Sequence, residues 1–248
     1  MFCKPQLLVL APLLLFIGCE NGFWSGANNG LIGGAWGAEK VALVCGTLAV
    51  FDITASVVAG AALDSCAVKC CGWGSRIVLV CGVASFAGGV AITVAVVRPA
   101  ALAVAAGGDG DLPPLAFVAA ALMGVGDGTM NTVTTTRLGQ LAEDAHMLPV
   151  RTAFQFFQCV NVLMTGVTFA LQANFPLEKS FVQIYVLGAL AAAAAGFFAL
   201  FARPVGAITA QTAAVAEEVT VDAKAGGAAD VAPLPADPMS AAGYAALA

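Results

Sequence analysis

The stretch Val41-Ala-Leu-Val-Cys-Gly-Thr-Leu-Ala-Val-Phe-Asp52-Ile-Thr-Ala-Ser-Val-Val-Ala-Gly-Ala-Ala-Leu63 decides the class of fold. It has the length of a helix that crosses a hydrocarbon layer of about 30 Å. Its one charge is Asp52, and ten of its residues are Leu, Ile, Phe or Val. Each of those ten favours insertion by about 0.3–0.6 kcal/mol, which together offsets the roughly 2.5–3.5 kcal/mol cost of a mid-span aspartate. A segment of this kind belongs in a bilayer.

The rest of the chain agrees. Of 248 residues, 60% are hydrophobic and 10% charged, with a mean hydropathy of +0.92. Soluble domains carry about 25% charged residues, so most of this surface faces lipid. The net charge of -5 argues against a nucleic-acid partner. Spans are predicted at 6–33, 41–63, 76–98, 114–137, 151–172 and 180–202. Between them lie Glu39 and Lys40, Asp64 to Gly74, Pro99 to Pro113, Leu138 to Val150, and Asn174 to Lys179. The expected fold is therefore all-α, a polytopic bundle of six transmembrane helices over 1–203. A polar tail follows at 204–248, rich in alanine and holding Glu217, Glu218, Asp222, Asp230 and Asp237. Its apolar surface is too small to offset the chain entropy lost on ordering.

Basic residues near the spans orient the chain. With the N-terminus in the cytosol, the inner flanks hold Lys4, Lys69, Arg76, Arg137, Arg151 and Arg203, against Lys40, Arg98 and Lys179 outside. Both termini are expected in the cytosol. Lys4, the run from Leu7 to Ile17 and Gly18-Cys19 have the outline of a cleaved leader. Phe16 fits such a site poorly, and the helical pattern continues past Cys19 to Gly33.

Carboxylates at mid-bilayer are functional candidates by default, and this chain has Glu20, Asp52 and Asp127 in its first, second and fourth spans. Glu20, Trp24 and Asn28 share one helical face, and Asn21, Ser25 and Asn29 repeat that spacing one residue on. Gly18, Gly22, Gly26, Gly30 and Gly34 line the same span. Such small residues let another helix approach closely, and glycine holds a helix weakly, so a kink is expected there. In the fourth span Asp127 and Asn131 stand one turn apart, with Thr134 and Thr135 beyond. That stripe suits a partner helix, or a cation held by oxygen atoms. Gln155, Gln158 and Asn161 continue the theme in the fifth span. The predicted polar cavity comprises Glu20, Asn21, Trp24, Asp52, Asp127, Asn131 and Gln158.

Other chemistry is excluded or weak. The glycines around Asp127 lack the strand and lysine of a phosphate loop. The eight cysteines form no ligand pattern with the single histidine, His146, and read as small apolar residues. Cys66, Cys70 and Cys71 lack a fourth zinc ligand but sit where palmitoylation occurs. No nucleophile is paired with His146. Neither an enzyme, a cofactor nor a metal centre is expected.

Gly18-Cys-Glu20-Asn-Gly-Phe23-Trp24-Ser25-Gly26 resembles the opening of the second half of the Unc-ninety-three-like proteins, ion-channel regulatory proteins of the major facilitator superfamily. Gly124-Val-Gly126-Asp127-Gly-Thr-Met-Asn131-Thr132 is similar to that family's Gly-x-Gly-Asp-x-x-x-Asn-Thr signature, and Thr152-Ala-Phe154-Gln-Phe-Phe-Gln158 to the segment after it. Gly60-x-x-x-Asp64 with Gly74-x-Arg76 resembles the superfamily's cytosolic loop motif, with a longer insert and without its run of arginines. The resemblance covers 6–202 and implies half of a twelve-span fold. It also implies an accessory protein that regulates or traffics channels or receptors, or else a solute or ion transporter lined by Glu20, Asp127 and Asn131. A single half should not transport, since alternating access rocks two halves about a central site. The chain is therefore expected to be a fragment, to pair with a missing N-terminal half or a second copy, or to be a remnant without activity.

The span count carries its own test. Single cysteines at Gly108 and Ala225, in a background without other cysteines, should label from opposite sides of the membrane. Labelling of both from one side would exclude the six-span topology.

Overall fold

A computed structural model describes residues 5–65, 74–144 and 150–174, and Ala193. The predicted sixth span, the tail from 204, His146 and Cys3, Cys66, Cys70 and Cys71 lie outside the described residues. The described part is helical, without strands. Helix α1 (Pro5–Gly22) passes through a π-helical turn (Phe23–Asn28) into α2 (Asn29–Trp36), and α3 is Ala38–Asp64. Helix α4 (Gly74–Ile92) continues through a second π turn (Thr93–Val97) into α5 (Arg98–Ala105). Helices α6 (Leu115–Asp144) and α7 (Val150–Asn174) complete the described elements.

Ala38–Asp64, Gly74–Ala105 and Phe154–Leu171 are long and apolar enough to cross a membrane. At 1.5 Å per residue, the 27 residues of α3 extend about 40 Å, longer than the hydrocarbon core. The expected first and fourth spans are also helical, in α1–α2 and α6.

One boundary differs from expectation. The third span was predicted to end at Arg98 because Pro99 opens a connector, yet the helix runs to Ala105. A proline ring clashes with the carbonyl four residues earlier and offers no N–H. The π turn at Thr93–Val97 widens the backbone just ahead of Pro99, and the helix resumes. What ends it is Gly107, at φ 91°. Gly37, at φ 86°, separates α2 from α3 in the same way.

Helix α6 is the hub, packed along α3 on one side and α4 on the other. Its glycines make this possible. A Cβ on Gly124 would collide with the Leu48 carbonyl oxygen and stand 3.0 Å from the Asp52 nitrogen. One on Gly128 would collide with the Asp52 carbonyl oxygen. Gly126 faces α4, where its Cβ would stand 2.6 Å from Phe86 Cβ and 2.9 Å from the Gly82 oxygen. Gly82 and Gly89 of α4 return the arrangement against Thr129 and against the Ala119 oxygen. Helix α1 packs on α7 likewise, with Gly18 against Met164 and Gly22 against Thr168. Gly30 and Gly34 have nothing within 4 Å, so the glycine ladder of the first span is a contact only at its start.

Around these approaches lies a core of Leu13, Phe16, Ile17 and Phe23 with Leu79, Phe86, Met123, Met130 and Phe157. Phe16 and Phe86 meet edge to face with centroids 5.5 Å apart. A second cluster joins Leu31 and Ile32 to Val44, Val97, Ala101 and Ala116.

Gly124→Ala and Gly128→Ala should each lower unfolding free energy in mixed micelles by about 1–3 kcal/mol, the usual cost of overpacking. Gly46→Ala, with nothing within 4 Å, should be neutral or stabilising by up to about 1 kcal/mol from helix propensity. Equal tolerance of all three would refute the backbone contacts of α6.

Candidate functional site

Glu20, Asp52 and Asp127 come from three different helices. Glu20 comes from α1, just before the π turn; its side chain is 2% exposed. Among the described residues, neither of its carboxyl oxygens has a hydrogen-bond partner. Asp127 of α6 and Asp52 of α3 are close enough for their charges to act on it. Asp127 and Asp52 likewise act on each other. The glycine contacts explain that pairing: the Asp52 Oδ1 lies 2.7 Å from where a Cβ of Gly128 would stand. Glycine at 128 thus seats Asp52 one residue away from Asp127.

Asp127 is half-buried and accepts a short hydrogen bond from Asn131 Nδ2, one turn on. The threonines after it point their hydroxyls at their own helix: Thr134 donates to the Met130 oxygen at 2.7 Å, and Thr135 to the Asn131 oxygen at 2.9 Å. They are capped locally rather than bonded to a partner helix. Ser56 of α3 does cross, donating to the Gly128 oxygen at 3.3 Å.

On α1, Glu20 and Asn28 are both buried and Trp24 is half-buried. Trp24 packs against both apolar clusters, so it joins the two cores. The companion stripe lies further out, with Asn21 and Asn29 half-buried and Ser25 exposed. Ser25 donates a short bond to the Asn21 carbonyl, and Asn21 Nδ2 donates to Asn161 Oδ1 of α7 at 3.1 Å. Thr165 of α7 adds a bond to the Gly18 oxygen at 3.1 Å.

Gln158 was placed in the cavity from sequence, but it is exposed on α7, as is Gln155. The residue of that helix that bonds an α1 side chain is Asn161. A step of three residues turns roughly 60° short of a full helical turn, so Gln155, Gln158 and Asn161 drift around the helix. Asn161, Thr165 and Thr168, spaced four and three, keep one face and carry the α1 contact. The spacing from Asn161 to Thr165 was the available signal.

The loop-motif residues fall at two helix ends. Gly60 and Asp64 close α3, while Gly74 and Arg76 open α4. Arg137, counted from sequence only as a topological flank, is buried. It donates a short bond to Ser75 Oγ, tying the end of α6 to the start of α4, with Arg76 within electrostatic reach. Ser75 beside Gly74 and Arg76 was the clue, but nothing in the spacing names Arg137 as its partner.

Among the described residues, no group of three His, Cys, Asp or Glu side chains is arranged to hold a metal ion. Comparison with protein-family models, curated proteins and solved structures finds no match.

Asp127→Asn preserves a side-chain oxygen for Asn131 and should leave stability unchanged. Asp127→Leu removes the pair and should cost about 0.6 kcal/mol, the average for an intramembrane hydrogen bond. Thermal unfolding in detergent measures both, and a large loss with Asn would show that the charge itself holds the bundle.

Proposed function

We propose that this chain is a multi-pass membrane protein of Unc-ninety-three-like type, an accessory or trafficking partner of an ion channel or receptor rather than an enzyme. It has both termini in the cytosol. The observation that supports this best is the double use of the segment carrying the resemblance. Gly124 and Gly128 are the surface on which α6 meets α3, and between them Asp127 pairs with Asn131. A signature that both packs the hub helix and displays a carboxylate suits a protein whose bundle is a docking scaffold. The partners on this reading are the bilayer, a channel or receptor client, and a second half-bundle, whether an N-terminal half or a second copy.

A second reading, as half of a major-facilitator-type solute or ion transporter, is favoured by one feature. Glu20, Asp52 and Asp127 lie within one another's electrostatic reach, and carboxylates inside a helical bundle mark ion and substrate pathways.

Co-expression with candidate channels and receptors distinguishes the two. An accessory protein should change the surface density or current of at least one client several-fold, and Asp127→Leu should diminish that change at equal expression. No change in any client, together with solute flux in proteoliposomes, would replace the accessory reading with the transporter.

A further inference from the structure

We propose that Glu20, with Asp127 and Asp52 about it, is an exchangeable site for one small monovalent cation, a proton or Na+, within the helical bundle. This does not rest on the accessory or the transporter reading. It follows from three features of the site taken together.

The first is that, among the described residues, Glu20 lacks any donor. A carboxyl group 2% exposed with both oxygens without a hydrogen bond is costly unless its charge is neutralised. The second is that the neighbouring polar groups are already committed. Asn21 donates to Asn161, Asn131 to Asp127, Ser25 to the Asn21 carbonyl, and Thr165 to the Gly18 carbonyl. The third is the sign of the surroundings. Of the elements packed on α1, α6 presents Asp127, and α3 beyond it presents Asp52, both acidic. Helix α7 presents neutral Asn161, Thr165 and Thr168. Cys19, next to Glu20 on α1, is buried among apolar residues. Among the described residues no basic side chain acts on Glu20, so none of them supplies a compensating positive charge.

The size and charge of the ligand follow. With no trio of ligating side chains among the described residues, a divalent cage is not formed. One unpaired carboxylate calls for one positive charge. The π turn that begins at Phe23, three residues after Glu20, is a local departure from helical regularity of the kind that recurs at functional sites.

Dicyclohexylcarbodiimide tests this on the purified full chain in detergent and in proteoliposomes. A protonated carboxyl adds to the reagent: its proton moves to a carbodiimide nitrogen, and its oxygen bonds to the central carbon. The resulting O-acylisourea rearranges to a stable N-acylurea without redox change. Peptide mapping should find the adduct on Glu20, with a rate that falls about tenfold per pH unit once the site empties, as for a single titrating group. If Na+ competes, adding it at fixed pH should slow labelling about tenfold per tenfold rise above its dissociation constant, by mass action, whereas K+ or choline should not. Dependence on pH alone identifies the proton as the ligand. Glu20→Gln should remain monodisperse and lose the adduct. Absence of labelling at Glu20 at every pH, or labelling indifferent to both pH and Na+, overturns the proposal. The wild-type dependence decides it even if the variant does not fold.

Discussion

The close approach of α6 to α3 is the constraint on which the rest of the described bundle depends. In lipid, helices gain nothing from hydrophobic association, because acyl chains are as apolar as leucine; they associate through packing and interhelical hydrogen bonds. Backbones can come within contact only where no Cβ intervenes. Gly124 and Gly128 meet that requirement against Leu48 and Asp52, and Gly126 meets it on the opposite side against Phe86 and Gly82. With one helix seated by glycine on both flanks, α4 and α3 are held in place relative to each other. The core of Phe16, Phe86, Met123 and Met130 closes around them.

That packing also determines the electrostatics. Gly128 follows Asp127 directly, so the helix contact that accommodates Asp52 necessarily brings two carboxylates together. Helix α1 adds a third, since Gly18 and Gly22 seat it on α7 while Glu20, between them, turns toward the interior. Packing and charge therefore arise from the same residues. A substitution that loosens the glycine contacts would also separate the acids, and an effect on one is hard to obtain without the other.

The two π turns show how a long helix accommodates a local conflict. At Thr93–Val97 the conflict is covalent, because Pro99 cannot join a regular helix without displacing the carbonyl ahead of it. At Phe23–Asn28 it is one of packing and side-chain competition. Gly22 is pressed against Thr168, and the Ser25 hydroxyl takes up the Asn21 carbonyl, a bond that distorts helices. Both turns allow a continuous element to carry its polar residues past a point where a regular helix would stop.

Much of this was legible in the amino-acid sequence. Apolar run lengths placed α3 and α7 to within about three residues. Spacing picked out Glu20 with Asn28, and Asp127 with Asn131, as shared faces. Periodicity describes a helix's own faces, and those are what it recovered. The helix past Pro99 was missed because a π turn is not written in composition. Gln158 was misplaced because a repeat of three drifts around a helix whose turn is 3.6 residues. Which glycines touch a neighbour, Gly124 and Gly128 but not Gly30 and Gly34, could not be read from a uniform ladder of small residues. By itself the sequence determined a helical chain with segments long and apolar enough to cross a membrane and with carboxylates set in its helices, because hydrophobic length and charge are properties of each segment alone. Only the tertiary structure decided that Asp52 comes to lie beside Asp127 and that, among the described residues, Glu20 has no hydrogen-bond partner. Hydrogen bonding and burial belong to pairs of helices, and a single helix does not specify which neighbour will cover it.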